Sequence, residues 1–157
     1  MKSKAAAVAA SLLISGCVGT NTVRTSVDTA LVQVRAAPIC GGEGAANVAQ
    51  KQAAIETLKA GYDRYVILGG QSENTVRANQ MPGTYQTTGH IYGNMVTANT
   101  TYTPGPVVFS GAHSQQFAIK MFKDSDPNAY MALSAREALG PKWPEMVKAG
   151  EIRVCGQ

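Results

Sequence analysis

An α+β fold is predicted, a small sheet containing a β-α-β unit with two to three helices, and three patterns in the chain predict it. Alternation of side chains over residues 30–35 and 116–122 marks half-buried strands. A stretch rich in Ala, Gln, Lys, Glu and Leu over 45–60 marks a helix, and an apolar run at 65–68 follows it. Cys40 and Cys155 stand near opposite ends of the folded region, placed for one terminal-to-terminal disulfide.

In the first strand Ala30, Val32 and Val34 share one face, and Leu31, Gln33 and Arg35 the other. Pro38 ends it, and Cys40-Gly41-Gly42-Glu43-Gly44 reads as a turn. Along the helix Val48, Ile55 and Tyr62 recur at heptad spacing with Leu58 beside them, and Gly61 is placed to cap it. Tyr65, Val66, Ile67 and Leu68 form a compact strand that Gly69 and Gly70 end. The two strands are expected to be parallel neighbours joined by a right-handed crossover. Farther on, Phe117, Ile119 and Met121 alternate with Ala118, Lys120 and Phe122. Asp126 and Pro127 are expected to open a helix that Gly140 and Pro141 close, with Met131, Ala135, Ala138 and Leu139 on its buried side. A short helical turn at 144–149 follows Trp143, and Gly150 leads into a last strand at 152–155.

Residues 78–119 contain no Asp, Glu, Lys or Arg, in a chain with 14 basic and 10 acidic residues. The Thr/Gly/Tyr-rich part of this stretch, at about 80–106, reads as a long insertion, part hairpin and part unstructured, with strand structure resuming near Val107. Tyr85, Tyr92 and Tyr102 stand there among Thr, Gly and Asn, a composition that adapts to glycan or protein surfaces. These three tyrosines are the candidate binding residues.

At the N-terminus, Lys2 and Lys4 precede an apolar run at 5–14 that is too short to span a bilayer. Ser15 and Gly16 are small, and Cys17 follows. The pattern resembles a bacterial lipobox. It implies a lipoprotein signal peptide at 1–16, lipidation of Cys17 with acyl chains such as palmitate, a lipidated tether at 17–28 and a single domain over 29–157. Cleavage there leaves about 140 residues, enough for one core and not two. It also removes Lys2 and Lys4, half of the formal charge of +4. No basic stripe interleaved with aromatics remains, so no nucleic acid is expected as a partner. Export carries Cys40 and Cys155 into an oxidising periplasm, where one pairing is open to them once Cys17 is acylated. Neither has the C-x-x-C neighbourhood that a redox pair needs.

Other constellations carry less. Asp124-Ser125-Asp126-Pro127-Asn128 imitates the opening of a calcium loop, but Ala129 and Ala135 stand where Gly and Glu are required, so no metal site is expected. The 41–44 segment is neither a phosphate-binding P-loop nor a dinucleotide fingerprint, and no cofactor is expected. His90 and His113 have no carboxylate or cysteine at ligand spacing. Asp63 and Arg64 read as a local pair at a strand entrance.

The lipobox, the segment at 53–65 (AAIETLKAGYDRY), the Tyr/Thr/Gly insertion and Asp126-Pro127-Asn128-Ala129-Tyr130 together resemble a family of small lipoproteins, found mostly in alphaproteobacteria, without an assigned activity. The resemblance implies a Gram-negative outer-membrane setting and offers no catalytic residues to carry over. Val18 after the lipid cysteine agrees, since Asp at that place is the usual inner-membrane retention signal in enterobacteria. The expected function is that of a non-catalytic envelope lipoprotein, a binding or structural component attached to the membrane by its lipid and meeting an envelope protein or cell-wall partner. The alternatives are a lipid-anchored enzyme acting on cell-wall polymer or carbohydrate, with His113 or His90 beside Asp63 or Glu73, and an enzyme-inhibitor lipoprotein.

Overall fold

The computed structural model describes residues 18–155, so Cys17 and the 1–16 leader lie outside the described residues. Among these the order is β1 (Val18–Arg24), β2 (Thr29–Ala36), α1 (Gly41–Lys59), β3 (Arg64–Asn74), β4 (Arg77–Gln80), β5 (Thr84–Tyr92), β6 (Met95–Thr103), β7 (Val107–Ser110), β8 (His113–Phe122), β9 (Leu133–Ser134), α2 (Ala135–Leu139) and α3 (Trp143–Ala149). The fold is α+β, as the alternation and the Ala-rich helix predict.

Five strands form one sheet in the order β1-β2-β8-β3-β9, with every neighbouring pair antiparallel. Here the parallel pair expected of β2 and β3 is corrected. They do run in the same direction, but β8 lies between them and bonds to both. The unit is a split β-α-β, closed by a strand from far along the chain.

The alternation in β2 and β8 sends one set of side chains against α1. Ala30, Val32 and Val34 meet Ile119 and Met121 there, and all five are buried. Across them α1 lays Val48 and Ile55 together with Ala49, Ala53 and Ala54, whose small side chains let the helix sit close to the sheet. The helix ends in a Schellman motif: the Gly61 N–H donates to the Leu58 carbonyl and the Tyr62 N–H to that of Thr57, with Gly61 at φ +81°. Buried hydroxyls are satisfied. Thr57 Oγ1 donates to the Ala53 carbonyl at 2.8 Å, and Tyr65 Oη to that of Gln50 at 3.2 Å.

The Cys40–Cys155 disulfide is present, with Cα atoms 5.7 Å apart and a sequence separation of 115. Closing a loop of that length contributes up to about 5 kcal/mol in the chain-entropy account. The last strand expected at 152–155 is absent among the described residues. The tail is held instead by the disulfide, by burial of Ile152, by the Val18 N–H donating to the Arg153 carbonyl at 3.1 Å, and by Gln52. Gln52 Oε1 accepts from the Ile152 N–H at 3.2 Å, while Nε2 donates to the Gly150 carbonyl at 3.1 Å.

Four further expectations are corrected. The tether proposed for 17–28 is largely strand. In β1, Thr20 and Thr22 stand on the core side opposite Val34 and Val32, and the polarity that suggested a tether belongs to an edge strand with one open face. The glycine-rich turn at 41–44 is the first turn of α1, entered from a 3-10 turn at Pro38–Cys40. Gly69 and Gly70 do not end β3. They carry it past a bulge that turns Leu68 outward, and β3 continues to Asn74. The helix expected from Asp126 starts nine residues later, as α2. Asp126 Oδ2 instead accepts from the Lys123 N–H in a turn, and Met131 is exposed. The working cap is Ser134, whose Oγ accepts from the Glu137 N–H.

Candidate functional site

Two surfaces are left uncovered by this packing, one on the five-stranded sheet and one on an arm of two further two-stranded sheets that extends from it. The first is the face opposite α1. Cross-strand register aligns Asn21, Gln33, Gln116 and Gln71 in one row across β1, β2, β8 and β3. Gly19, Arg35, Ser114 and Glu73 form the next row, and Val23, Leu31, Ala118 and Gly69 the row on its other side. The amide row floors a groove of about 630 Å³ edged by Arg35 and Glu73. It offers neutral donors and acceptors with a cation and an anion in the row along one side, a surface suited to hydrogen-bonding polar ligands. Sequence reading missed it, although the outward Gln33, Arg35 and Gln116 of the two alternating strands were its visible signal.

The second surface is an arm. Past the sheet, β3 and β8 continue as β4–β7 and then β5–β6, and the residue pairing keeps a single register from Gly69↔Ala118 through Tyr92↔Met95. At the root, the Thr75 N–H donates to the Ala112 carbonyl and the Ala112 N–H to Thr75 Oγ1. Gly111 there has φ +99°, and a Cβ on it would overlap the Thr75 carbonyl. From Thr75 to Tyr92 the ribbon spans about 60 Å at about 3.3 Å per residue. Every residue of β5 and β6 is exposed.

Residues 80–106 are therefore hairpin throughout, with short joints at 81–83 and 104–106 in place of an unstructured part. The hairpin is two-faced. One face carries the pairs Tyr85–Tyr102, Thr87–Thr100, Gly89–Ala98 and Ile91–Val96. The other carries Thr84–Thr103, Gln86–Thr101, Thr88–Asn99, His90–Thr97 and Tyr92–Met95. The Tyr85 and Tyr102 rings lie 4.7 Å apart between centroids, and Thr87 Oγ1 bonds Thr100 Oγ1 at 2.9 Å. Tyr92 is not with the other two tyrosines. It sits at the tip on the opposite face, 6.4 Å from the His90 ring.

The residues weighed for catalysis are not brought together. His90 is on the arm. His113 pairs with Asn74 and faces the helix side near Gly42, while Glu73 pairs with Ser114 on the open face. Asp63 lies at the far end of β3, where Oδ1 accepts from Arg136 at 2.9 Å and Oδ2 from the Asp124 N–H. Arg64 pairs with Asp124 at 2.7 Å, so Asp63 and Arg64 each bind a partner from beyond β8 rather than one another. The two carboxylates that imitated calcium ligands, Asp124 and Asp126, are thus bound to Arg64 and to the Lys123 N–H. No three His, Cys, Asp or Glu side chains are grouped for a metal, and no helix is long and apolar enough to cross a membrane, among the described residues.

No known family model matches the chain, and no curated protein or solved structure matches it.

Proposed function

We propose that this chain is a non-catalytic, lipid-anchored component of a Gram-negative outer membrane, attached through Cys17, that works by holding its β-arm against a partner in the envelope. The observation that carries the reading is the arm itself. A two-stranded ribbon is marginal on its own in water, and this one exposes Tyr85, Ile91, Tyr92, Met95 and Val96 without burying any residue of β5 or β6. An uncharged, edge-exposed ribbon of this kind is an aggregation hazard unless something covers it. The anchor reading rests on Lys2, Lys4, the apolar run and the small residues before Cys17.

Two experiments test it. Cys17→Ser should abolish metabolic fatty-acid labelling and release the chain from membranes, and unchanged labelling would refute the anchor. Replacing 80–106 by a Gly/Ser linker should leave the thermal transition and the disulfide intact, since loop closure changes by only about 0.6 kcal/mol per doubling of length. The same replacement should lose whatever the tagged protein co-purifies with from membranes. Retained capture would move the binding surface to the amide-lined sheet face.

A further inference from the structure

We infer that the arm is a membrane-crossing element: copies of this chain close their β5–β6 hairpins into one transmembrane β-barrel, each donating two strands. The inference rests on the lipid-anchored reading above and goes further by naming the bilayer, together with neighbouring copies, as what covers the arm.

Length, charge and face polarity agree. A strand that crosses the hydrocarbon tilted needs about 9–11 residues, and β5 and β6 have 9 residues each. Charge is excluded from the whole hairpin and from both legs leading to it, back to Ala78 on one side and forward to Ile119 on the other. Barrel strands alternate lipid-facing and lumen-facing side chains. On one face of the hairpin the distal half carries Ile91, Val96, Ala98 and Gly89, and its threonine hydroxyls bond each other; on the other stand Gln86, Thr88, Asn99 and His90, with Tyr92 and Met95 at the tip. Single hairpins cannot cross, because the outer N–H and C=O groups of both strands would go unpaired in lipid. Closure with other copies satisfies them, and about four copies supply the roughly eight strands of the smallest outer-membrane barrels.

An independent observation sets the direction. Val18, the residue after Cys17, pairs with Ala36, which pairs with His113, which pairs with Asn74. These four residues form one row at one end of the sheet. β1 enters from that end, and β3 leaves through it into the arm. Val18 and the arm root thus lie about 14 Å apart, three strand spacings, at the same end of the sheet. A domain held by Cys17 presents the arm toward the bilayer.

The test uses the full-length lipidated chain in phosphatidylethanolamine/phosphatidylglycerol vesicles, with single cysteines placed at Thr87, Thr88, His90 and Ile91 and labelled with an environment-sensitive dye. These positions are exposed, so the substitutions leave the core untouched. Nitroxide-bearing lipids should quench the Thr87 and Ile91 sites about twofold more than the Thr88 and His90 sites, with the period of two that a barrel strand imposes. Crosslinking should trap oligomers of four or more copies. Ile91→Arg should abolish the quenching pattern, whereas Thr88→Arg on the lumen face should keep it. If the chain floats with the vesicles but every site stays open to water-soluble quencher, the barrel inference is overturned and the lipid anchor stands. A chain that does not partition with the vesicles at all overturns the anchor reading itself.

Discussion

Replacing Gln52 by Leu should expose how the C-terminal tail is held. Gln52 is buried on α1, and its side chain bonds the Gly150 carbonyl and the Ile152 N–H. Leucine conserves volume and shape but leaves the Ile152 N–H and the Gly150 carbonyl without protein partners. An orphaned buried group costs about 1–3 kcal/mol. The Ile152 amide falls at the upper end because its bond is buried. The Gly150 carbonyl falls at the lower end because it borders a solvent-facing groove with Glu56 and Lys59. The expected loss is therefore about 2–4 kcal/mol, read from urea unfolding, with faster exchange of the Ile152 amide. The effect should shrink in a Cys155→Ser background, because a tail freed from its crosslink no longer forces those groups to stay buried; a coupling of about 1 kcal/mol or more is expected. Gln52→Glu should make the loss depend on pH. It keeps the acceptor but sets a second carboxylate beside Glu56, so burial and like charge raise its folded pKa, and stability should be low at neutral pH and recover on acidification. A loss below about 0.5 kcal/mol for Gln52→Leu, or strict additivity with Cys155→Ser, would refute the clamp.

Other expectations follow from the same packing. Cys40 and Cys155 should resist alkylation until reductant is added, and replacing both should cost up to about 5 kcal/mol in denaturant unfolding; free reaction of both thiols in protein taken from the envelope would contradict the bridge. Ile119→Ala empties the middle of the central strand beneath α1 and should cost about 2–5 kcal/mol in the same assay. Burial pushes the Tyr65 hydroxyl above its ordinary value near 10. The stability tied to its neutral form is therefore present below pH 10 and lost as pH rises through the raised value. Tyr65→Phe should remove that alkaline slope, and an unchanged slope would assign it elsewhere.

What the sequence revealed and what it concealed divide along physical lines. β2 and β8 were legible because one face of each meets a helix and the other meets water, which writes the period of two directly into the residues. α1 was legible in its body and not in its first turn, where Gly42 and Gly44, which favour turns by propensity, lie in the helix just after Gly41 at φ +65° and the 3-10 turn that ends at Cys40. The insertion of β8 between β2 and β3 is a pairing across more than 40 residues, and no local pattern encodes it. At 126–139 two signals competed. Asp126-Pro127 matched a helix start yet serves a turn, while Ser134 to Glu137 held a capping-box pattern that the structure uses. The amide row stayed hidden because Asn21, Gln33, Gln71 and Gln116 are each ordinary surface residues, and only register makes them a surface.

The arm shows why a loop-length argument alone falls short. Read as an appended loop, residues 80–106 would have their own ends and local conformation. In the structure they have neither, because one register runs from Gly69 and Ala118, just past the bulge in β3, to the turn at Gly93 and Asn94. β8 is both the strand that buries Ile119 and Met121 and the leg on which the arm returns. A ribbon that buries nothing of its own can inherit order from such a ladder, since each pair is fixed by the one before it. That inheritance weakens with distance from the core. On the proposed reading the distal hairpin is covered by the envelope, and the Thr75–Ala112 root, bonded to the sheet and lying in the row next to the one that holds Val18, is placed to carry the load back to the domain.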